Sequence, residues 1–99
     1  RYDLVVAADV FGYIGNPLPL MTAVRSCLRV GGHFCFTAEL GDVARFGMGE
    51  HIRYVFHPDF LTTAAAETGF EVMSRDQAVM RHDGDEPIRV EVLLLAARD

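Results

Sequence analysis

The sequence predicts a single α/β domain built around a parallel strand–helix–strand crossover and closed by an antiparallel hairpin. Three observations carry this. An unbroken apolar run, Leu4 to Ala8, stops at Asp9, the pattern of a strand covered on both faces in a parallel sheet. A helical stripe and a second strand follow within roughly forty residues, the length of one crossover unit. Finally, two long strand patterns flank the turn-rich stretch His82-Asp83-Gly84-Asp85-Glu86-Pro87, as in a hairpin.

The first strand, Tyr2 to Ala8, delivers Asp9 to a strand's carboxyl end, where open parallel sheets bind ligands. Gly12, Gly15, Asn16 and Pro17 then mark a loop. Asn16 is expected to cap a helix with Pro17 at its first position, where a missing N–H costs nothing. Leu20, Met21, Val24, Cys27 and Leu28 recur at helical spacing and form its apolar face. Arg25 and Arg29 sit near the carbonyl-rich end, and Gly31 and Gly32 are expected to stop the helix. His33 to Glu39 reads as the second strand, parallel to the first, so Glu39 joins Asp9 on one rim.

Leu40 to Phe56 has no clear period and reads as a polar loop carrying Arg45, Glu50, His51, Arg53 and Tyr54. Connections of this length in small domains are commonly functional. His57-Pro58-Asp59 opens a second helix, with proline in the first turn and an acid near the positive end. Phe60, Leu61, Ala64, Ala65 and Thr68 share its face, and Gly69 ends it. Phe70 to Met80 and Ile88 to Ala97 are the closing strands. The apolar run Val92 to Ala97 marks the second of them as interior to the sheet.

Composition narrows the classes of function. At 99 residues and 51% hydrophobic content the chain suits one small domain, residues 1–99, with an adequate core. No apolar run approaches the ~20 residues of a membrane helix, and no signal peptide is visible, so a cytoplasmic protein is expected. A net charge of −5 argues against a general grip on nucleic-acid phosphates. Cys27 and Cys35 form no metal or redox spacing and are expected to be buried, reduced thiols. The histidines and acids form no compact metal-ligand motif.

The whole chain resembles the carboxyl-terminal half of a class I S-adenosylmethionine-dependent methyltransferase. The resemblance rests on Tyr2-Asp3-Leu4-Val5-Val6-Ala7-Ala8-Asp9-Val10-Phe11-Gly12-Tyr13-Ile14, on Leu28-Arg29-Val30-Gly31-Gly32-His33-Phe34 and on Gly69-Phe70-Glu71-Val72. More narrowly, Ile52-Arg53-Tyr54-Val55-Phe56-His57-Pro58 followed by Phe60-Leu61 is similar to methyltransferases associated with tetratricopeptide repeats. The resemblance implies a partial Rossmann-like sheet in family order fourth, fifth, seventh, sixth, with the last strand antiparallel and inserted. It implies S-adenosylmethionine as cofactor and a small-molecule acceptor. Ala8, Asp9 and Val10 would line the cofactor pocket, and Tyr13 the boundary between cofactor and substrate.

The glycine-rich loop and the ribose-binding acid of that family have no counterpart here, and both would lie upstream of Arg1. The isolated chain is therefore expected to be inactive and to self-associate as a homodimer through the edge of its first strand. Where an acceptor must lose a proton, a nearby base can serve, and Glu39, His51 and Tyr54 are the candidates by location and chemical type. Two other readings stand beside this one. One is a non-catalytic interaction or regulatory module that retains the fold. The other is half of a different nucleotide-binding α/β enzyme.

Overall fold

A computed structural model describes residues 1–49 and 53–99. Four strands form one sheet: β1 (Tyr2–Ala7), β2 (Leu28–Ala38), β5 (Phe70–Asp83) and β6 (Glu86–Ala97), in spatial order β1-β2-β6-β5. The pair β1/β2 is parallel, while β6 runs antiparallel to both β2 and β5. This is the expected order with the expected interior insertion of the last strand. Helix α1 (Leu18–Cys27) connects β1 to β2. Helix α2 (Pro58–Glu67) precedes β5.

The segment expected to be an irregular loop carries a small second sheet. Strands β3 (Phe46–Met48) and β4 (Tyr54–Phe56) pair antiparallel, Phe46 opposite Phe56 and Met48 opposite Tyr54. Glycines hide the pattern, because Gly41 and Gly49 stand where a side chain cannot. A Cβ at Gly41 would lie 2.5 Å from Val55 Cγ2, and one at Gly49 would lie 2.8 Å from Val55 Cγ1. Their role is close packing around Val55.

Helix ends follow local chemistry with small shifts. Asn16 Oδ1 accepts the N–H of Leu18 at 3.1 Å, but Pro17 occupies the cap position and the helix starts one residue later than expected. At α2 the expected start holds: His57 Nδ1 accepts the Asp59 N–H at 3.0 Å, ahead of Pro58. Gly31 and Gly32 do not stop α1, which ends at Cys27. They lie inside β2 instead, where Tyr2 faces Leu28 while Leu4 already faces His33. The extra residues on β2 are taken up as a bulge with Gly31 at φ 83°, a conformation that glycine adopts without strain. The regular ladder therefore begins at His33, where the sequence placed the strand. The closing hairpin is tighter than expected, since β5 and β6 run on to Asp83 and Glu86 around Gly84 and Asp85.

One face of the sheet carries the core. Phe34, Phe36 and Ala38 of β2, Leu93, Leu95 and Ala97 of β6 and Phe70 of β5 are buried against Met21 and Val24 of α1 and Phe60, Leu61, Ala64 and Ala65 of α2. At its centre, Phe11 stacks on Phe36 with ring centroids 4.2 Å apart, and Phe34 and Phe56 join from 6.2 and 5.9 Å. The other face is uncovered. Leu4 and Val6 of β1 are 56% and 61% exposed, and Cys35, Leu94 and Ala96 on the same side are only partly buried. The expectation that β1 is covered on both faces is therefore corrected. A continuous apolar run specifies a strand that avoids water, but coverage requires elements on both sides. Cys27 is likewise exposed and Cys35 only partly buried, since α1 turns Met21 and Val24 inward and leaves Cys27 outside that stripe.

A polar clamp joins the hairpin to α2. Arg75 of β5 donates through Nε to Glu91 Oε1 on β6 at 2.7 Å, through Nη1 to Thr62 Oγ1 at 2.6 Å and through Nη2 to the Pro58 carbonyl at 3.2 Å. One guanidinium on β5 thereby satisfies groups from β6 and α2.

Candidate functional site

The carboxyl ends of β1 and β2 meet on one rim, because the parallel register sets Ala7 opposite Phe36. Asp9 lies two residues beyond Ala7 and Glu39 three beyond Phe36. Asp9 is the one non-glycine residue with positive φ among the described residues, at 55°. That left-handed turn costs an L-residue about 1–2 kcal/mol. It is held by a long-range bond, in which the Asp9 N–H donates to Thr37 Oγ1 at 2.8 Å. Sequence reading missed Thr37, since a threonine in a strand carries no sign of a partner 28 positions away.

The turn has a buried anchor and an open lip. Phe11 is fully buried and begins a short 3-10 turn, Phe11–Tyr13. Ala8 is exposed, Val10 is 38% exposed and Tyr13 is 63% exposed. The fold thus fixes the backbone from below and presents Ala8, Val10 and Tyr13 outward.

Glu39 sits on the other side of the rim, partly buried. Its carbonyl accepts the Phe56 N–H at 2.9 Å, and the Phe56 carbonyl accepts the Gly41 N–H at 3.1 Å. These bonds tie the exit of β2 to the small sheet. Between them opens a cleft of about 440 Å³ lined by Glu39, Asp42, Val43, Met48, Gly49 and Val55. Glu39 is thus the expected base that the structure places in a cleft. Tyr54 is partly buried, its ring 6.3 Å from that of Phe46 and also against Gly15, and it does not line that cleft. His51 lies outside the described residues. Asp9 and Tyr13 share the rim with Glu39 but do not line the cleft either.

Arg53 is a further rim residue. Its guanidinium carbon lies 4.3 Å from the centroid of the Tyr13 ring, and its carbonyl accepts the Gly49 N–H at 2.7 Å. Among the described residues, no group of three or more His, Cys, Asp or Glu is placed to hold a metal ion. No helix among them is long and apolar enough to cross a membrane.

The chain has the Rossmann-like α/β fold found in S-adenosylmethionine-dependent methyltransferases. A methyltransferase structure from Methanosarcina mazei superposes with a TM-score of 0.78 at 13% identity, over 98% of this chain and 59% of that one. The N-methyltransferase NodS from Bradyrhizobium japonicum, in complex with S-adenosylhomocysteine, gives 0.67 at 18% identity, over 98% and 46%. The 1,6-didemethyltoxoflavin N1-methyltransferase from Burkholderia thailandensis, with its substrate and S-adenosylhomocysteine, gives 0.71 at 13% identity, over 100% and 45%. This chain spans between 45% and 59% of the length of these three proteins. Neither a family model nor a curated protein matches the sequence.

Proposed function

We propose that the chain is the carboxyl-terminal, acceptor-side part of an S-adenosylmethionine-dependent methyltransferase that acts on a small molecule. The observation that carries this reading is the fixed turn at Asp9. A left-handed backbone at the carboxyl end of a parallel strand, tied by Thr37 and followed by the buried Phe11, is held in one geometry. Strain of this kind is characteristic of ligand-holding positions, and the strand order around it matches a methyltransferase fold.

The residues present suit one side of such a cofactor. Ala8 and Val10 offer small apolar surface, and the turn at Asp9 offers backbone groups in a single geometry. Tyr13 would stand between cofactor and acceptor. When bound, S-adenosylmethionine supplies an activated methyl group on a sulfonium. The work left to this chain is to aim the acceptor, exclude water and remove a proton where the acceptor carries one. Glu39, at the edge of its cleft, is the base we assign ahead of the other two candidates, His51 and Tyr54. The open sheet face and the shorter span relative to the superposed proteins support a partner half that contributes the rest of the cofactor site. Alone, the chain would present the free edge of β1 and pair with a second copy.

Calorimetry tests the reading. Titrating S-adenosylhomocysteine into the 99-residue chain should give no saturable binding below about 1 mM, because one side of a pocket retains little affinity. The longer polypeptide containing it should bind in the micromolar range, and Asp9→Ala should weaken that binding more than Glu39→Ala. Absence of binding by the longer polypeptide, or equal effects of the two substitutions, would overturn the assignment.

A further inference from the structure

Arg53 is held on the rim by apolar and ring contacts. Its aliphatic arm lies against the turn after β1, where a Cβ on Gly12 would come within 3.0 Å of Arg53 Cδ. Its guanidinium rests over the Tyr13 ring at 4.3 Å. Its Nε is buried, and no acceptor among the described residues meets it. Arg25, Arg29, Arg75 and Arg98 all donate to carbonyls or carboxylates. Arg53 forms no ion pair or side-chain hydrogen bond among the described residues, although the chain carries a net charge of −5. Stacking on an aromatic ring returns about 0.5–1 kcal/mol at a partly exposed site. An unsatisfied buried donor costs about 1–3 kcal/mol. Stacking does not offset that cost at Nε, and among the described residues no acceptor meets the terminal Nη groups either, which are not among the buried atoms and so are the ones open to a ligand.

We propose that Arg53 and Tyr13 together recognise a small organic carboxylate with a flat apolar body, and that the methyl acceptor belongs to this class. The proposal deepens the methyltransferase reading and rests on it for the acceptor's role. The terminal Nη groups receive the carboxylate end-on, a pairing that the planar guanidinium fits in two parallel bonds. The stack on Tyr13 fixes the guanidinium plane in advance, so little freedom is lost on binding. The exposed remainder of the Tyr13 ring, beside Val10 at 38% exposure, takes the apolar body. Charge selects a monoanion over a phosphate dianion, because Asp9 and Glu39 lie on the same rim and repel the second charge.

The test needs no cofactor. Sodium benzoate is titrated into the chain while the Tyr13 ring and Arg53 guanidinium signals are followed by NMR. Saturable shifts centred on these two residues are expected, with half-saturation at about 1–10 mM, the range of one charged pair plus a stacking contact. Arg53→Lys should weaken binding at least about tenfold, since a point charge cannot make the bidentate pair. Arg45→Gln should leave it unchanged, although Arg45 also stacks on a ring, that of Phe60. Wild-type shifts that stay linear to about 100 mM, or that centre elsewhere, overturn the proposal whether or not the variants fold. Inorganic phosphate saturating at lower concentration than benzoate overturns the choice of carboxylate. Failure here leaves cofactor binding by the longer polypeptide untouched, and failure there leaves the benzoate result untouched, so the two readings fall separately.

Discussion

The two faces of β2 differ by a single residue of offset. Phe34 and Phe36 point into a sealed aromatic core at 0% and 1% exposure. Cys35 and Thr37, at the alternate positions, belong to a face that no helix among the described residues covers. Across the ladder the contrast repeats, with Leu93 and Leu95 buried and Leu94 only partly so. All these residue types are compatible with a strand interior. What separates the faces is the presence of α1, α2 and the Phe11 turn on one side only. The lesson is that apolar content reports how much burial a strand tolerates, while the neighbours decide how much it receives.

Substitutions on the two faces should therefore have unequal effects. Phe36→Ala removes the ring stacked on Phe11 and should cost about 3–5 kcal/mol in urea unfolding, enough to unfold a small domain. Val6→Ala, on the open face, should stay within about 0.5–1 kcal/mol in the same measurement. Comparable losses from both would mean that something covers the open face in solution.

Arg75→Ala is expected next in size, at about 1–3 kcal/mol, because it orphans Glu91 on β6 and releases α2 from the hairpin. Hydrogen exchange should show the effect concentrated in residues 58–67 and 86–97 rather than at β1. Thr37→Val removes the acceptor of the Asp9 N–H and should cost about 1 kcal/mol. Thr37→Ser should restore most of it, and a valine variant as stable as wild type would show that the turn holds itself. Val6→Lys should change stability least but should abolish the self-association proposed for the β1 edge, as a charge disfavours edge pairing. Sedimentation at tens of micromolar checks this, and a wild-type chain that is already monomeric would remove the dimer from the account.

The crossover, the hairpin and the interior position of the last strand were legible because each leaves a local pattern, while the order of the sheet came from the family resemblance. The start of α2 at His57-Pro58-Asp59 and the Asp9 rim were legible for the same reason. The small β3/β4 sheet was not, since two three-residue strands, one with Gly47 at its centre, offer no period to read. Thr37 and the Arg53–Tyr13 stack were hidden differently. Their meaning lies in contacts across 28 and 40 positions, which no local window contains. Arg53 was visible as one polar residue in a polar segment, and only the fold shows what it rests on.

The insertion of β6 between β2 and β5 also bears on how the chain is made. The strand that holds the sheet together is the last of the four to leave the ribosome. Until residues 86–97 emerge, β2 and β5 have no shared neighbour, and the Phe34 and Phe70 rings, 5.9 Å apart in the finished fold, have no wall of leucines behind them. Non-local pairing of this kind is slow and exposes apolar surface while it waits. A nascent chain stalled before Glu86 should therefore be a chaperone client, and one stalled once Ala97 has emerged should be less so.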